Sequence, residues 1–359
     1  MSDDIYRKLQ ERLDLYSMGF PATDSGIELK ILRYLFSEDD ADMFLALSHS
    51  LETPESVASR LGKSVEDVAA RLDDMAERGL LFRVKKDTGA KYGAIPFVHG
   101  LFEFQVKTLD RELAEMVETY FGEGFETAMQ AGAECFLRPI PVHQSIDARH
   151  HVASYNDAVE ILKSKPRIVV TDCICRKRTE VIEKGCGKPM EACFMFGSMG
   201  QYYLDRGMGR EVSLEEAVTI MDQCRDAGLV TQPATAQNPS GMCNCCGDCC
   251  GVLAALNKHP KPVELVIANH LAVIAEDDCT GCEACLERCQ MGALSMNDAE
   301  TAEVNPDRCI GCGLCVVTCP VEAIQLVPKP EEDCRMPPTS MAEQMMLMAQ
   351  KRGLLPVQK

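Results

Sequence analysis

Eight cysteines near the C-terminus fall in two runs: Cys279, Cys282, Cys285 and Cys289, then Cys309, Cys312, Cys315 and Cys319. Both read C-x2-C-x2-C-x3-C, and each cysteine of the first run has a counterpart thirty residues later in the second. Three thiolates in a tight loop reach three irons of one cubane, while a fourth, three residues on, starts a helix pointing away and ligates the other cluster. The spacing therefore assigns Cys279, Cys282, Cys285 and Cys319 to one [4Fe–4S] cluster, cluster I. It assigns Cys309, Cys312, Cys315 and Cys289 to a second, cluster II. Zinc and disulfides are the rival readings, but zinc sites usually show paired C-x2-C units rather than a fourth cysteine at x3.

A second constellation lies upstream: Cys173, Cys175, Cys186, Cys193, Cys243, Cys245, Cys246, Cys249 and Cys250. Five cysteines within residues 243–250 exceed what core packing would place there. An apolar strand over 167–170 delivers Cys173 and Cys175, which can meet that loop in space. Together they can hold at least one more metal centre. A further [4Fe–4S] cluster is preferred to zinc and to redox thiols. Nine candidates exceed one cubane's four ligands, and Cys186 is the weakest of them. Gly247 and Gly251 let backbone amides approach sulfur. Arg176, Lys177 and Arg178 can serve the same end, or simply open a solvated helix. Cys224, on a helix over 214–227, reads as structural, and the isolated Cys135 as a packed thiol.

The elements that must position these groups follow from pattern. Residues 1–134 contain no cysteine, whereas nineteen of the twenty lie between Cys173 and Cys334. Helices are expected over 3–17, 27–36 and 41–47. Thr53 with Pro54 starts a short helix that Gly62 closes, and Ser64 caps another over 65–78. Residues 79–84 then form a strand, with 85–92 as a wing. One helical stretch is expected over 99–134, with Leu109, Leu113, Met116, Val117 and Tyr120 as its buried stripe. The prolines of 138–143 make a linker or edge strand that marks a boundary. His143, His150 and His151 lie near it; adjacent histidines can bind metal, but exposed loop residues are the commoner case. A middle region follows, with Cys186 and Cys193 in a Gly- and Met-rich stretch and Ser213 capping the 214–227 helix. After the second cysteine run, Met341, Met345, Met346 and Met348 give a docked tail helix over 340–351.

The cysteine repeat over 271–328 resembles the bacterial-type two-cluster ferredoxins, with short strands at 291–294 and 321–324. It departs from them at Gln290, where the second run has Pro320. Residues 27–98 resemble a winged helix-turn-helix. In DNA-binding versions the second helix of the motif meets phosphates, but here it carries Glu66, Asp67, Asp73, Asp74 and Glu77 against Arg71 and Arg78. The wing (Arg83, Lys85, Lys86, Lys91) is basic. Docking or packing is therefore expected in preference to DNA contact. The D-C-x-C-R segment at 172–176, the CNCC-x-x-CC segment at 243–250 and the terminal repeat together resemble 4Fe–4S-binding, ferredoxin-like proteins of strict anaerobes. In such proteins position 248 is often a further cysteine, whereas here it is Asp248, which counts against a second middle cluster.

The fold class expected is α+β, in four parts. A helical, winged-helix-like docking domain covers 1–135, a cysteine-rich α/β domain with an extra metal centre 136–270, a two-cluster ferredoxin domain 271–330, and a Met-rich tail helix 331–359. The net charge of −18 is concentrated in 1–135 (−11) and 271–330 (−7), which disfavours nucleic acid and suits basic faces of redox partners. The start lacks a basic, apolar leader, and no run of about eighteen apolar residues spans a membrane. Twenty cysteines without an export signal point to a reducing cytoplasm. The function expected is one-electron transfer as a relay or subunit of an anaerobic oxidoreductase complex. One alternative is a redox enzyme acting at the middle centre, although no G-x-G-x-x-G or Walker A stretch is present. The other is an iron–sulfur redox sensor coupled to the winged helix. A component of a complex is preferred to a stand-alone enzyme.

Overall fold

The computed structural model describes residues 2–48, 50–130, 135–142, 145 and 154–355; His143, His150 and His151 lie outside them. Its architecture is mixed helix and sheet, of the α+β kind. In the front half, helix starts are written locally. Ser37 opens Glu38–Ala46 with a capping box to Asp40, Thr53 opens Pro54–Leu61, and Ser64 opens Val65–Glu77. Each hydroxyl accepts from an amide that the helix start leaves unpaired. The hairpin Phe82–Lys86 with Gly89–Gly93 follows.

Two expectations for this half need correction. Arg83 is not a wing cation: it is buried, with its guanidinium on Asp73 at 3.0 Å and Glu77 at 2.7 Å. Only Lys85, Lys86 and Lys91 remain exposed there. Nor is 99–134 one helical stretch. After Pro96 the chain turns irregularly through Phe97–Leu101, with His99 at φ 61° and ψ 40°. A regular helix begins at Arg111–Tyr120, capped by Asp110, and widens at Phe121–Phe125 before the short helix Glu126–Gln130. The cause is aromatic packing: Phe97, Phe102 and Phe104 all turn into the core, and Phe97 meets Phe20 at 4.4 Å between ring centres.

The middle of the chain is a five-stranded sheet in the order Gly209–Val212, Ile168–Asp172, Glu191–Phe196, Gly241–Cys245, Val230–Pro233. Every pairing is antiparallel, so this region lacks the parallel crossovers of an α/β fold. Strand alternation divides its residues between two cores. Ile168, Val170, Phe194 and Met242 pack under the Ser213-capped helix Leu214–Asp226. Val169 and Cys245 face the front half, with Tyr202 and Tyr203 of Gly197–Asp205.

The C-terminal segment pairs His270–Ile274 with Ile324–Pro328, and Leu294–Met296 with Ala302–Val304, around the short helices Ala284–Arg288 and Leu314–Thr318. The strands thus begin a few residues later than the sequence repeat suggested. The tail helix Met341–Lys351 docks on its own chain: buried Gln344 accepts from Ala236 N–H at 3.0 Å and donates to Phe136 O at 2.8 Å. One connected buried cluster runs from Tyr6 to Met348 through all these parts. Among the described residues no helix is long and apolar enough to cross a membrane.

Candidate metal centres

The two C-terminal runs fold into mirrored loops. Gly281 and Gly311, both at φ 67°, sit where an added β-carbon would meet a backbone oxygen, Glu300 O at 2.6 Å and His270 O at 2.5 Å. Only glycine lets the loops press this close. One pocket is lined by Cys279, Cys282, Cys285 and Cys319, another by Cys289, Cys309, Cys312 and Cys315; each leaves about 20 Å³. Backbone amides approach the sulfurs, Ala302 N–H to Cys279 at 3.5 Å and Ala293 N–H to Cys289 at 3.3 Å. Cys282 of the first pocket is exposed, whereas no cysteine of the second is; each pocket also holds buried thiols, Cys285 in the first and Cys309 and Cys315 in the second. Burial pushes the Cys312 thiol up to about 12 and raises Cys315 as well. Such thiols ionise readily only when a metal takes the proton's place.

Upstream, the nine cysteines separate into two sets. Cys173 and Cys175 stand at the start of helix Ile174–Val181, which follows the strand Ile168–Asp172. Cys193 lies on Glu191–Phe196 and pairs in register with Cys243. Cys243 and Cys245, two apart on Gly241–Cys245, share a face, and Cys250 immediately precedes Gly251–Lys258. Cys243 and Cys245 are thus strand residues, not the loop residues their sequence context suggested, and Cys193 is a strand residue as well. The six thiols neighbour one another in the cyclic order Cys173, Cys175, Cys250, Cys245, Cys243, Cys193, each shifting the ionisation of its two neighbours. Donation from the flanking thiols lowers Cys173, and lowers Cys245 to about 7. These two occupy opposite positions in the ring.

The other set is Cys186, Cys246 and Cys249, whose sulfurs all lie within 4.8 Å of one another. Thr179 donates its hydroxyl to Cys249 Sγ at 3.1 Å. A hydrogen bond from Cys249 lowers Cys246 to about 6, although burial opposes it. Lys188 and Asp248 form an ion pair beside this set. Cys186, the weakest candidate by sequence, is therefore one of three clustered thiols. Nothing in its Gly-Cys-Gly surroundings marks it; only the fold brings it to residues sixty positions away. Cys224 stays apart, buried under the sheet with burial raising its thiol to about 12.

Arg176 and Arg178 do not open a solvated helix: they are 2% and 4% exposed. Arg176 donates one N–H to Asn244 O at 2.5 Å and Arg178 one to Cys249 O at 3.0 Å. Nε and Nη1 of both arginines are buried without a partner. Burial alone would lower Arg176, but the charges of Cys173, Cys193, Cys246 and Cys245 more than offset that and raise it. Buried donors without acceptors, set among clustered thiols, fit a site completed by an anionic sulfur-containing group. The thiol sets thus suit a thiolate-bound cluster, which would accept from these N–H groups.

The middle and C-terminal sites touch through Gln290, the residue after Cys289. Its side-chain oxygen accepts from Gly247 N–H at 2.7 Å, and its carbonyl from Asn257 Nδ2 at 2.8 Å. The departure from Pro320 thus gives the first run its contact with the 243–250 loop. Front-half residues that sequence reasoning missed, His99 and Glu103, line a cavity together with all six ring cysteines. Burial pushes His99 down to about 3 and Glu103 up to about 7. Their irregular segment has no periodicity from which to find them.

A comparison with curated proteins finds no match. Residues 272–326 match the family model described as a 4Fe-4S dicluster domain, and that segment supports a ferredoxin-type, iron–sulfur electron-transfer role for the chain.

Proposed function

We propose that the chain is a one-electron relay of an anaerobic oxidoreductase complex, working in the cytoplasm. Cys279, Cys282, Cys285 and Cys319 hold cluster I; Cys309, Cys312, Cys315 and Cys289 hold cluster II. The ring of Cys173, Cys175, Cys193, Cys243, Cys245 and Cys250 supplies the ligands of at least one further [4Fe–4S] cluster. Cys186, Cys246 and Cys249 form a separate three-thiol site. Clusters in these places supply one-electron chemistry. The observation that carries the reading is the order of the sites. The first pocket reaches solvent through exposed Cys282, the second has no exposed cysteine, and the Cys289–Gln290 step bonds to the loop that bears Cys246.

The remaining parts follow as proposals. The winged-helix-like front, 1–135, acts as a docking and covering module. DNA binding is disfavoured because Arg71 on Val65–Glu77 and Arg78 just after it are engaged by Asp40 at 3.0 and 2.7 Å. Phosphates would then face the helix's acidic residues. Residues 136–270 form the cysteine-rich unit, 271–330 the ferredoxin unit and 331–359 the tail.

Stepwise anaerobic reduction followed by EPR tests the relay. The expected spectrum contains two interacting cluster signals and a further one that disappears in Cys173→Ser but survives in Cys285→Ser. A spectrum that Cys173→Ser leaves unchanged contradicts the third station.

A further inference from the structure

The ring of six cysteines borders a cavity of about 220 Å³, roughly tenfold larger than the space of about 20 Å³ left in each four-cysteine pocket of the same chain. Two additional thiols do not account for that difference. The surplus is apolar: Phe104, Phe121, Phe125 and Phe136 line it, with Met195 and Met199. Met341 and Met345 of the tail helix complete the wall. Flexible thioethers adapt to irregular ligand shapes. An apolar cavity of about 150 Å³ is already large enough to take up benzene.

Two polar groups from the front half enter this space. His99 Nδ1 is buried without a hydrogen-bond partner. Its ring stacks on Phe136 at 4.3 Å, and its backbone is held at φ 61°, a costly conformation for a residue with a β-carbon. Glu103 lies four residues on, fixed by accepting from Gly100 N–H at 2.8 Å. Among the described residues lining the cavity there is no lysine or arginine, so a ligand there meets no cationic side chain in the wall itself. A pocket of mostly apolar wall with a few converging polar groups is the usual form of a small-molecule site.

We propose that this cavity binds a neutral molecule about the size of one substituted aromatic ring, its ring against the phenylalanines and its polar substituent held by His99 and Glu103. The proposal deepens the relay reading by placing a ligand against the ring of thiols, but it rests on the space and its walls rather than on a cluster.

Anaerobic calorimetric titration of the full-length protein, as isolated with its metal, tests it with phenol, benzene, benzoate and tetramethylammonium as probes. Phenol is expected to bind at one site, about tenfold more tightly than benzene, with benzoate and tetramethylammonium weaker still. Met199→Trp fills the cavity and is expected to weaken phenol about tenfold or more. Met199→Phe gives a smaller step in the same direction and serves if the tryptophan variant does not fold. Failure of phenol to bind, equal binding to both variants, or a preference for tetramethylammonium or benzoate would overturn the proposal. Iron counted in the same samples tests the cluster reading separately: absent middle iron defeats that reading, while the titration alone decides the ligand.

Discussion

Arg176→Leu removes a positive charge buried between the two upstream thiol sets. The side chain is 2% exposed, and its nearest electrostatic partners are Cys173, Cys193, Cys245 and Cys246. A unit charge about 6 Å from a centre, at an effective dielectric constant of about 20, interacts with it by about 3 kcal/mol. For a one-electron couple this corresponds to about 120 mV, since tenfold in the equilibrium constant is about 59 mV. Losing the cation destabilises the more negative, reduced state, so the potential falls. Potentiometric EPR on full-length protein of unchanged iron content is the assay. The middle signal is expected to drop by about 100 mV in Arg176→Leu and much less in Arg176→Lys, with both C-terminal clusters unmoved. A middle potential that stays in place, or a shift confined to the C-terminal clusters, would refute the placement of this charge.

Cys186→Ser should alter metal content at the three-thiol site, whereas Cys224→Ser should leave metal untouched; equal metal loss in both would contradict the partition. Glu103 gives a pH signature. Its folded value of about 7 lies above the ordinary 4.5, so the folded state holds the extra proton and stability is lost as pH rises from about 4.5 through 7. The full effect is about 3 kcal/mol. Glu103→Gln should therefore unfold at a higher temperature than the unsubstituted protein at pH 8, with little difference at pH 4; the opposite order would be contrary. Cluster I, flanked by Asp277, Asp278, Glu283 and Glu287, should have a lower potential than cluster II, whose loop carries Ile310, Leu314, Val316 and Val317. Finding cluster II the lower would count against that electrostatic argument.

The two C-terminal runs were legible because all their information is local: spacing, glycine positions and a thirty-residue repeat. The same holds for the Thr53, Ser64 and Ser213 caps, where one side chain decides where a helix begins. The partition of the upstream cysteines was not legible, since it depends on long-range register. Cys193 meets Cys243 only because two strands fifty residues apart pair, and Cys186 reaches Cys246 only through the fold. Arg83, Arg176 and Arg178 looked like solvated cations because sequence shows charge but not burial. His99 and Glu103 lie in a segment whose irregular backbone follows from aromatic packing, which leaves no period to detect.

The central claim is that the cysteines upstream of the ferredoxin-type segment hold iron. Anaerobic quantitation of iron and acid-labile sulfide, with zinc measured in parallel, tests it most directly. The account predicts about twelve irons per chain, or about sixteen if the three-thiol site is also filled by a cubane, with matching sulfide. About eight irons, with zinc or nothing upstream, would contradict it.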